Sequence, residues 1–344
     1  MKNIYHNLNL VIIGGNRLNE IFPFQIFFEL KKKYNFFLTV LTENTHLKKR
    51  INNKYRNFEA FLKKKKQNYE NIKDYNNLYK KIYELEKKKC KNIYLLVNSI
   101  FIIKKDIIKL IKGNLYNLHI GKLPEQRGAG ITTWQIMSNI KKTAITIHEV
   151  ESGLDTGNIL VQKKINCKNI KVPEDFYKKI SESEKKVLDI FISKIAKNTK
   201  IKTIKQLNKN SVYMPRIDTK VHGYINWLWQ AKDIVSFINA FDRPFAGAKT
   251  FINGEKCILR NAALLKSKIK FHPFQNGIVI RLIKDSYFVA SVDGIIKTEV
   301  EFVRNKKINY LGKRFFTPYR FIEMSLSANV IHRPEGIIIK NPFK

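Results

Sequence analysis

Leu8 to Thr42 reads LNLVIIGGNRLNEIFPFQIFFELKKKYNFFLTVLT. Leu8 to Ile13 is an almost unbroken apolar run that ends in Gly14-Gly15. Such a run predicts a strand buried on both faces, followed by a tight turn. Phe24 to Tyr34 has the spacing of a helix with a basic C-terminal end, and Phe36 to Thr42 is a second strand-like run. Strand, helix and strand with short connections predict a mostly parallel α/β sheet. Gly14-Gly15-Asn16 would let backbone approach a ligand, but the spacing is not G-x-G-x-x-G, so a dinucleotide fingerprint is absent.

Working outward, residues 93–97 (IYLLV) form the next buried strand. Asn98, Ser99 and the apolar Ile100-Phe101-Ile102-Ile103 follow it, where loops at the carboxyl ends of parallel strands build binding crevices. Asp106 to Leu110 is a short helix stopped by Gly113. The intervening residues 43–92 are charged and hard to read. They show helical spacing only at Leu78, Ile82 and Leu85, and the runs Lys63–Lys66 and Lys87–Lys89 read as solvated helix ends.

A chain of 344 residues with a 44% hydrophobic fraction suits one large and one smaller globular domain. No apolar run reaches the ~18 residues of a membrane span. The N-terminus MKNIYHNLNLVIIGG reads as a first strand, not a signal peptide. Cys90, Cys167 and Cys257 stand apart without a C-x-x-C, which disfavours disulfides or a cysteine metal site and suits a reducing cytoplasm. The net charge of +37 fits a polyanionic partner. It equally fits a compositional bias, because the lysines are spread along the chain among many Asn and Ile.

The chemistry concentrates between Asn117 and Gly157, NLHIGKLPEQRGAGITTWQIMSNIKKTAITIHEVESGLDTG. Leu115 to Leu118 is strand-like, so Asn117 and His119 share a face at period two. Pro124 and Gly128 force a loop, with Arg127 between them as an anion or backbone anchor. Thr132 to Asn139 reads as a helix and Ala144 to Val150 as a strand, on which His148 projects. Gly153-Leu154-Asp155-Thr156-Gly157 presents one carboxylate in a loop. An amide, an imidazole and a carboxylate suit acyl transfer to an amine. The imidazole takes the amine proton or faces the oxyanion, the amide N–H donates to the oxyanion, and the carboxylate orients the imidazole. No Ser or Cys stands in a nucleophile's setting, so direct transfer from an activated donor fits better than a covalent acyl-enzyme.

These motifs resemble the folate-dependent formyltransferases. The matching residues are Asn117 and His119 (N-x-H), Leu123-Pro124 and Arg127-Gly128 (L-P-x-x-R-G), and Leu154-Asp155-Thr156-Gly157 (L-D-T-G). The resemblance implies an Asn117–His119–Asp155 catalytic triad on a Rossmann-like domain, with 10-formyltetrahydrofolate as co-substrate and no metal. It implies a pterin held at the loop from Val97 through Ser99, Ile100 and Phe101, beside Leu154, Thr156 and Gly157. Gly121 departs from the pattern, because many relatives carry Ser there. His148 resembles the sugar-modifying members, whereas methionyl-tRNA formyltransferases more often carry Met. The acceptor implied first is therefore an amino-sugar nucleotide. Initiator Met-tRNA is the alternative, favoured by the charge, and a non-catalytic folate- or nucleic-acid-binding protein is a third reading. A homodimer is compatible with each.

Further along, residues 158–166 are strand-like, and residues 174–196 repeat apolar side chains at helical spacing. Residues 197–212 are polar and basic, a linker. The segment YMPRIDTKVHGYINW resembles the family's passage into its smaller domain, and Phe237 to Ala248 reads as a helix and turn. Short strands punctuated by Asn253-Gly254 and Asp293-Gly294 predict hairpins. About five strands, closed near residues 310–319, make an OB-like barrel. The expected organisation is a catalytic domain over residues 1–197, a linker over 198–215, an OB-like domain over 216–322 and a tail over 323–344.

Overall fold

The computed structural model describes residues 7–16, 23–51, 55–199, 201–302, 310–333 and 336–341. Parts of the N-terminal strand reading, of the linker and of the tail lie outside these residues.

The first strand, β1 (Leu8–Gly14), is buried along its whole length, which is why its sequence shows no alternation. Helix α1 (Phe24–Tyr34) returns the chain to β2 (Phe37–Thr42). The segment that resisted reading folds into α2 (Asn44–Leu47), α3 (Phe58–Lys64), β3 (Tyr69–Asn71) and α4 (Tyr75–Glu86). Asn57 and Asp74 cap α3 and α4 by accepting from Ala60 and Asn77 N–H groups at 2.9 and 2.7 Å. Then follow β4 (Lys91–Val97), α5 (Lys105–Ile111), β5 (Leu115–Ile120), the two-residue β6 (Arg127–Gly128), α6 (Ile131–Met137), β7 (Lys142–Glu149), β8 (Ile159–Asn166) and α7 (Pro173–Ala196).

Seven strands form one sheet in the order β3-β2-β1-β4-β5-β7-β8. It is parallel from β3 through β5, and β7 and β8 then add antiparallel. Apolar side chains cover both faces. Phe27, Phe61, Val187 and Phe191 of α1, α3 and α7 pack on Leu10, Ile12 and Leu95. On the opposite face Leu78, Ile82 and Ile107 of α4 and α5 pack on Val11, Ile13, Leu96 and Leu115. The strand order reverses at β1, so the crevice at the carboxyl ends of β1 and β4 is a topological switch point.

Residues read as a free linker are pinned to this domain. Ile204 bridges Ile159, and β9 (Tyr213–Met214) pairs parallel with β6. Two short helices follow, α8 (Thr219–His222) and α9 (Ala231–Ala240). The helix expected from Phe237 therefore starts earlier, at Ala231. The smaller domain is a six-stranded antiparallel sheet built from β10 (Ala248–Ile252), β11 (Glu255–Leu265), β12 (Val279–Ile283), β13 (Ser286–Ser291), β14 (Gly294–Phe302) and β15 (Phe315–Phe316). Its order is β12-β13-β14-β11-β10-β15, and it curls until Val279 N–H donates to Lys313 O at 2.8 Å near the two edges. Trp227, Phe237, Phe241 and Phe315 lie in its own core. β11 bulges between Arg260 and Ala263, where its register with β14 shifts. The tail also has structure: α10 (Tyr319–Ser327), then a hairpin of β16 (Asn329–Arg333) and β17 (Gly336–Lys340). Among the described residues no helix is long and apolar enough to cross a membrane.

Candidate active site

Asn117 and His119 occupy alternate positions on β5, on the face covered by α4 and α5. The register sets Asn117 directly opposite His148 on β7. Beyond the end of β7, the chain turns back through a loop in which Asp155 has a φ of 52°. A left-handed non-glycine residue costs about 1–2 kcal/mol and persists where its surroundings hold it. Here they do: Gly128 N–H donates to Asp155 Oδ2 at 2.8 Å, and Asn117 Nδ2 donates to Oδ1 at 3.2 Å.

The two imidazoles flank this carboxylate. His119 Nδ1 lies 3.7 Å from Asp155 Oδ2, and His148 Nε2 lies 3.4 Å from Oδ1. Their hydrogen bonds assign the ring protons. His119 Nε2 faces the Gln126 carbonyl at 2.6 Å, and a carbonyl only accepts, so Nε2 carries hydrogen. Nδ1 is then the basic nitrogen of neutral His119. In the same way His148 Nδ1–H donates to Glu149 O at 2.7 Å. Its Nε2 is left to accept from Asn117 Nδ2 at 3.1 Å. Both N–H groups of Asn117 are thus engaged. Burial by itself would raise the Asp155 carboxyl, but the positive charge that His119 carries once Nδ1 is protonated, together with His148 and the Gly128 N–H, outweighs it and holds it well below the usual carboxylate range.

The loop between β5 and α6 shapes one wall. Leu123 is buried, and its carbonyl accepts from Gln162 Nε2 at 3.1 Å. Pro124 follows it through a cis peptide bond. Arg127 is buried and faces the linker, donating to Gln206 Oε1 and Asn208 Oδ1. Gly121 lies against the His119 ring: a Cβ there would meet Nε2 at 2.4 Å and the Gln126 carbonyl at 2.8 Å. Gln126 escaped the sequence reading, although it sits inside the L-P-x-x-R-G motif. Its side-chain oxygen accepts from Lys122 N–H, Thr143 Oγ1 and Gln135 Nε2, which fixes the carbonyl that orients His119. Gln206 was missed as well, and nothing in a polar, basic linker sets it apart.

The crevice side comes from the β4 end. Val97 pairs with Leu118, so the 98–104 loop leaves the sheet beside the face of β5 that carries Asn117 and His119. Val97 is buried, and its carbonyl accepts from Gly15 N–H at 3.0 Å. Gly14, at φ 126°, leaves no room for a side chain there, since a Cβ would meet that carbonyl at 2.2 Å. Ser99 Oγ accepts from Phe101 N–H at 3.1 Å, and Ile100 and Phe101 pack in one cluster with Val150. Ile102, in the loop after β4, and Leu154, next to Asp155, are 76% and 52% exposed. Thr156 is half-buried, and Gly157 packs against the Glu149 carbonyl. Among the described residues no group of His, Cys, Asp and Glu is placed to hold a metal ion.

Residues 33–192 match the family described as Formyl transferase, and residues 218–316 match its C-terminal domain. The bifunctional polymyxin resistance protein ArnA of Wigglesworthia glossinidia brevipalpis is 29% identical over 270 residues, which cover 70% of this chain and 40% of ArnA. The chain therefore spans less than half the length of that relative. Methionyl-tRNA formyltransferase of Clostridium tetani is 27% identical over 257 residues, 75% of this chain and 77% of that protein. The N-formyltransferase of Helicobacter canadensis, solved with folinic acid and dTDP-3-aminofucose, superposes with a TM-score of 0.62 at 19% identity. It covers 84% of this chain and 98% of its own, and so shares the fold.

Proposed function

Because this chain belongs to the folate-dependent formyltransferase family, we propose that Asn117, His119 and Asp155 carry formyl transfer to a primary amine of an amino sugar linked to a nucleotide. 10-Formyltetrahydrofolate supplies the formyl group at N10, where a proton returns when the C–N bond breaks. His119 Nδ1 takes the proton of the attacking amine, and the ionised Asp155 beside it stabilises the imidazolium so formed. Asn117 offers an N–H to the developing oxyanion. For that it must release one of its two partners. His148 is the one it can release, because a proton on His148 Nε2 turns that atom from acceptor to donor and redirects it to Asp155 Oδ1. Exposed Ile102 and Leu154 and the backbone of the 98–104 loop offer an apolar and hydrogen-bonding surface suited to a flat pterin ring.

The observation that carries the acceptor reading is His148, facing Asn117 from the neighbouring strand. It is the residue type by which the sugar-modifying members differ, and the Helicobacter relative was solved with an amino-sugar nucleotide. The alternative acceptor is initiator Met-tRNA, supported by the net charge of +37 and by the Clostridium relative's name. The test is to incubate the enzyme with 10-formyltetrahydrofolate and either charged initiator tRNA or a panel of 3- and 4-amino-sugar nucleotides. Formylation of an amino sugar is expected; formylation of the tRNA alone replaces this reading with the alternative.

A further inference from the structure

Gln206 lies in the connection between the two domains, yet it is 7% exposed. Its Nε2 donates to Asp155 O at 2.8 Å and to Gly157 O at 2.7 Å. Its Oε1 accepts from Arg127 Nε at 3.1 Å and Nη2 at 2.9 Å. One amide therefore uses both hydrogens and its oxygen to join two separate pieces of the site. The first piece is the left-handed loop that carries Asp155. The second is β6, whose next residue, Gly128, holds Asp155 Oδ2. The clip is itself anchored, since Arg127 also donates to Asn208 Oδ1 at 3.1 Å and β6 pairs with β9.

We infer that Gln206 is a positioning residue for Asp155: it fixes the loop backbone against the Gly128 N–H, so that the carboxylate meets His119 and His148 in one orientation. This rests on the reading of Asp155 as the catalytic carboxylate. Gln206 touches neither reacting atom. The side-chain chemistry is specific, because Glu has the same shape and keeps the acceptor for Arg127 but loses both donors and sets an oxygen against two carbonyls. Met fills the space and loses everything. The charged and titratable groups facing Asp155 are His119 and His148, with Arg127 acting through the clip.

The experiment compares wild type, Gln206→Glu, Gln206→Met and Asp155→Asn as full-length chains. Turnover with 10-formyltetrahydrofolate and the acceptor that the assay above identifies is read together with the titration of the Asp155 carboxyl carbon by 13C NMR. Both Gln206 variants are expected to lose about 10- to 100-fold in kcat, the scale of a misplaced group, with KM for donor and acceptor at the wild-type level. In both, the Asp155 carboxyl is expected to titrate at higher pH than in wild type, because the Gly128 N–H no longer meets it squarely. A purely structural role would lower the melting temperature and leave that titration in place. A variant too unstable for turnover still answers through the carboxyl titration, recorded at low temperature on the folded fraction. The inference is overturned if Asp155→Asn is inactive while the Gln206 variants keep wild-type kcat and titration. If Asp155→Asn retains wild-type turnover, the reading of Asp155 itself fails.

Discussion

The backbone N–H of Gly128 donates to Asp155 Oδ2 at 2.8 Å, across a gap that two chain segments far apart in sequence must close together. That bond, with the two imidazoles, keeps Asp155 ionised while buried. Its folded-state acidity is therefore greater than that of an unfolded Asp, near pH 3.9. A depressed carboxyl contributes stability that is fully present above the unfolded value and lost as pH falls below it. The difference in urea midpoint between wild type and Asp155→Asn is expected to shrink as pH is lowered from about 5 to about 3. A constant difference over that window would remove Asp155 from the acid sensitivity of the fold.

Asp155→Asn and His119→Ala are each expected to cut formyl transfer by about 10²- to 10⁴-fold, the usual worth of one acid–base or oxyanion group. The two effects should fall well short of adding in the double variant, because each residue acts through the other. Steady-state turnover of the three variants decides this, and near-normal rates in both single variants would dissolve the triad.

Gly121 tests whether the departure from the family pattern is neutral. With a Cβ 2.4 Å from His119 Nε2 and 2.8 Å from the Gln126 carbonyl, Gly121→Ser must shift the ring or the loop. The expected result is a fall of about 10-fold or more in kcat, since a small displacement of a catalytic group is costly. Wild-type turnover with Ser would show that the Gln126 carbonyl can move aside without consequence.

Lys249 in the smaller domain is a buried amine that donates to Lys220 O at 2.7 Å and lies 4.4 Å from the Tyr224 ring centre. Burial, then the nearby Lys256, bring it down to about 8. Between about pH 8 and the unfolded value near 10.4, the unfolded chain binds more protons, so stability rises with pH across that window. Replacing the amine in Lys249→Met should flatten this rise, measured as urea midpoints at pH 7.5, 9 and 10.5. An unchanged slope would mean that the amine is charged in the fold.

The sheet was legible because burial on both faces leaves a plain record: β1 and β4 are continuous apolar runs. The Asn253-Gly254 and Asp293-Gly294 turns were legible because each sits between strands that pair. Within residues 43–92 only α4 was legible, through Leu78, Ile82 and Leu85, the three side chains it buries; α3 was not, since its three buried side chains are followed directly by a run of lysines. In the site, Asn117, His119, Arg127 and Asp155 stood out by type and spacing, and His148 through the family resemblance. Gln126 and Gln206 did not. A buried glutamine is recognised by what its amide touches, and the three partners of Gln206, Arg127, Asp155 and Gly157, lie far from it along the chain.

The pairing of β9 with β6 has a consequence for recombining this enzyme with its relatives. A junction at the end of α7 would respect both hydrophobic cores. It would also trade away Gln206, Asn208 and β9, so a hybrid would set one parent's outer wall against the other parent's carboxylate loop. A junction beyond Pro215 inherits wall and loop as one block. In this chain the block that holds the Asp155 loop ends at β9, later than the hydrophobic core of the first domain.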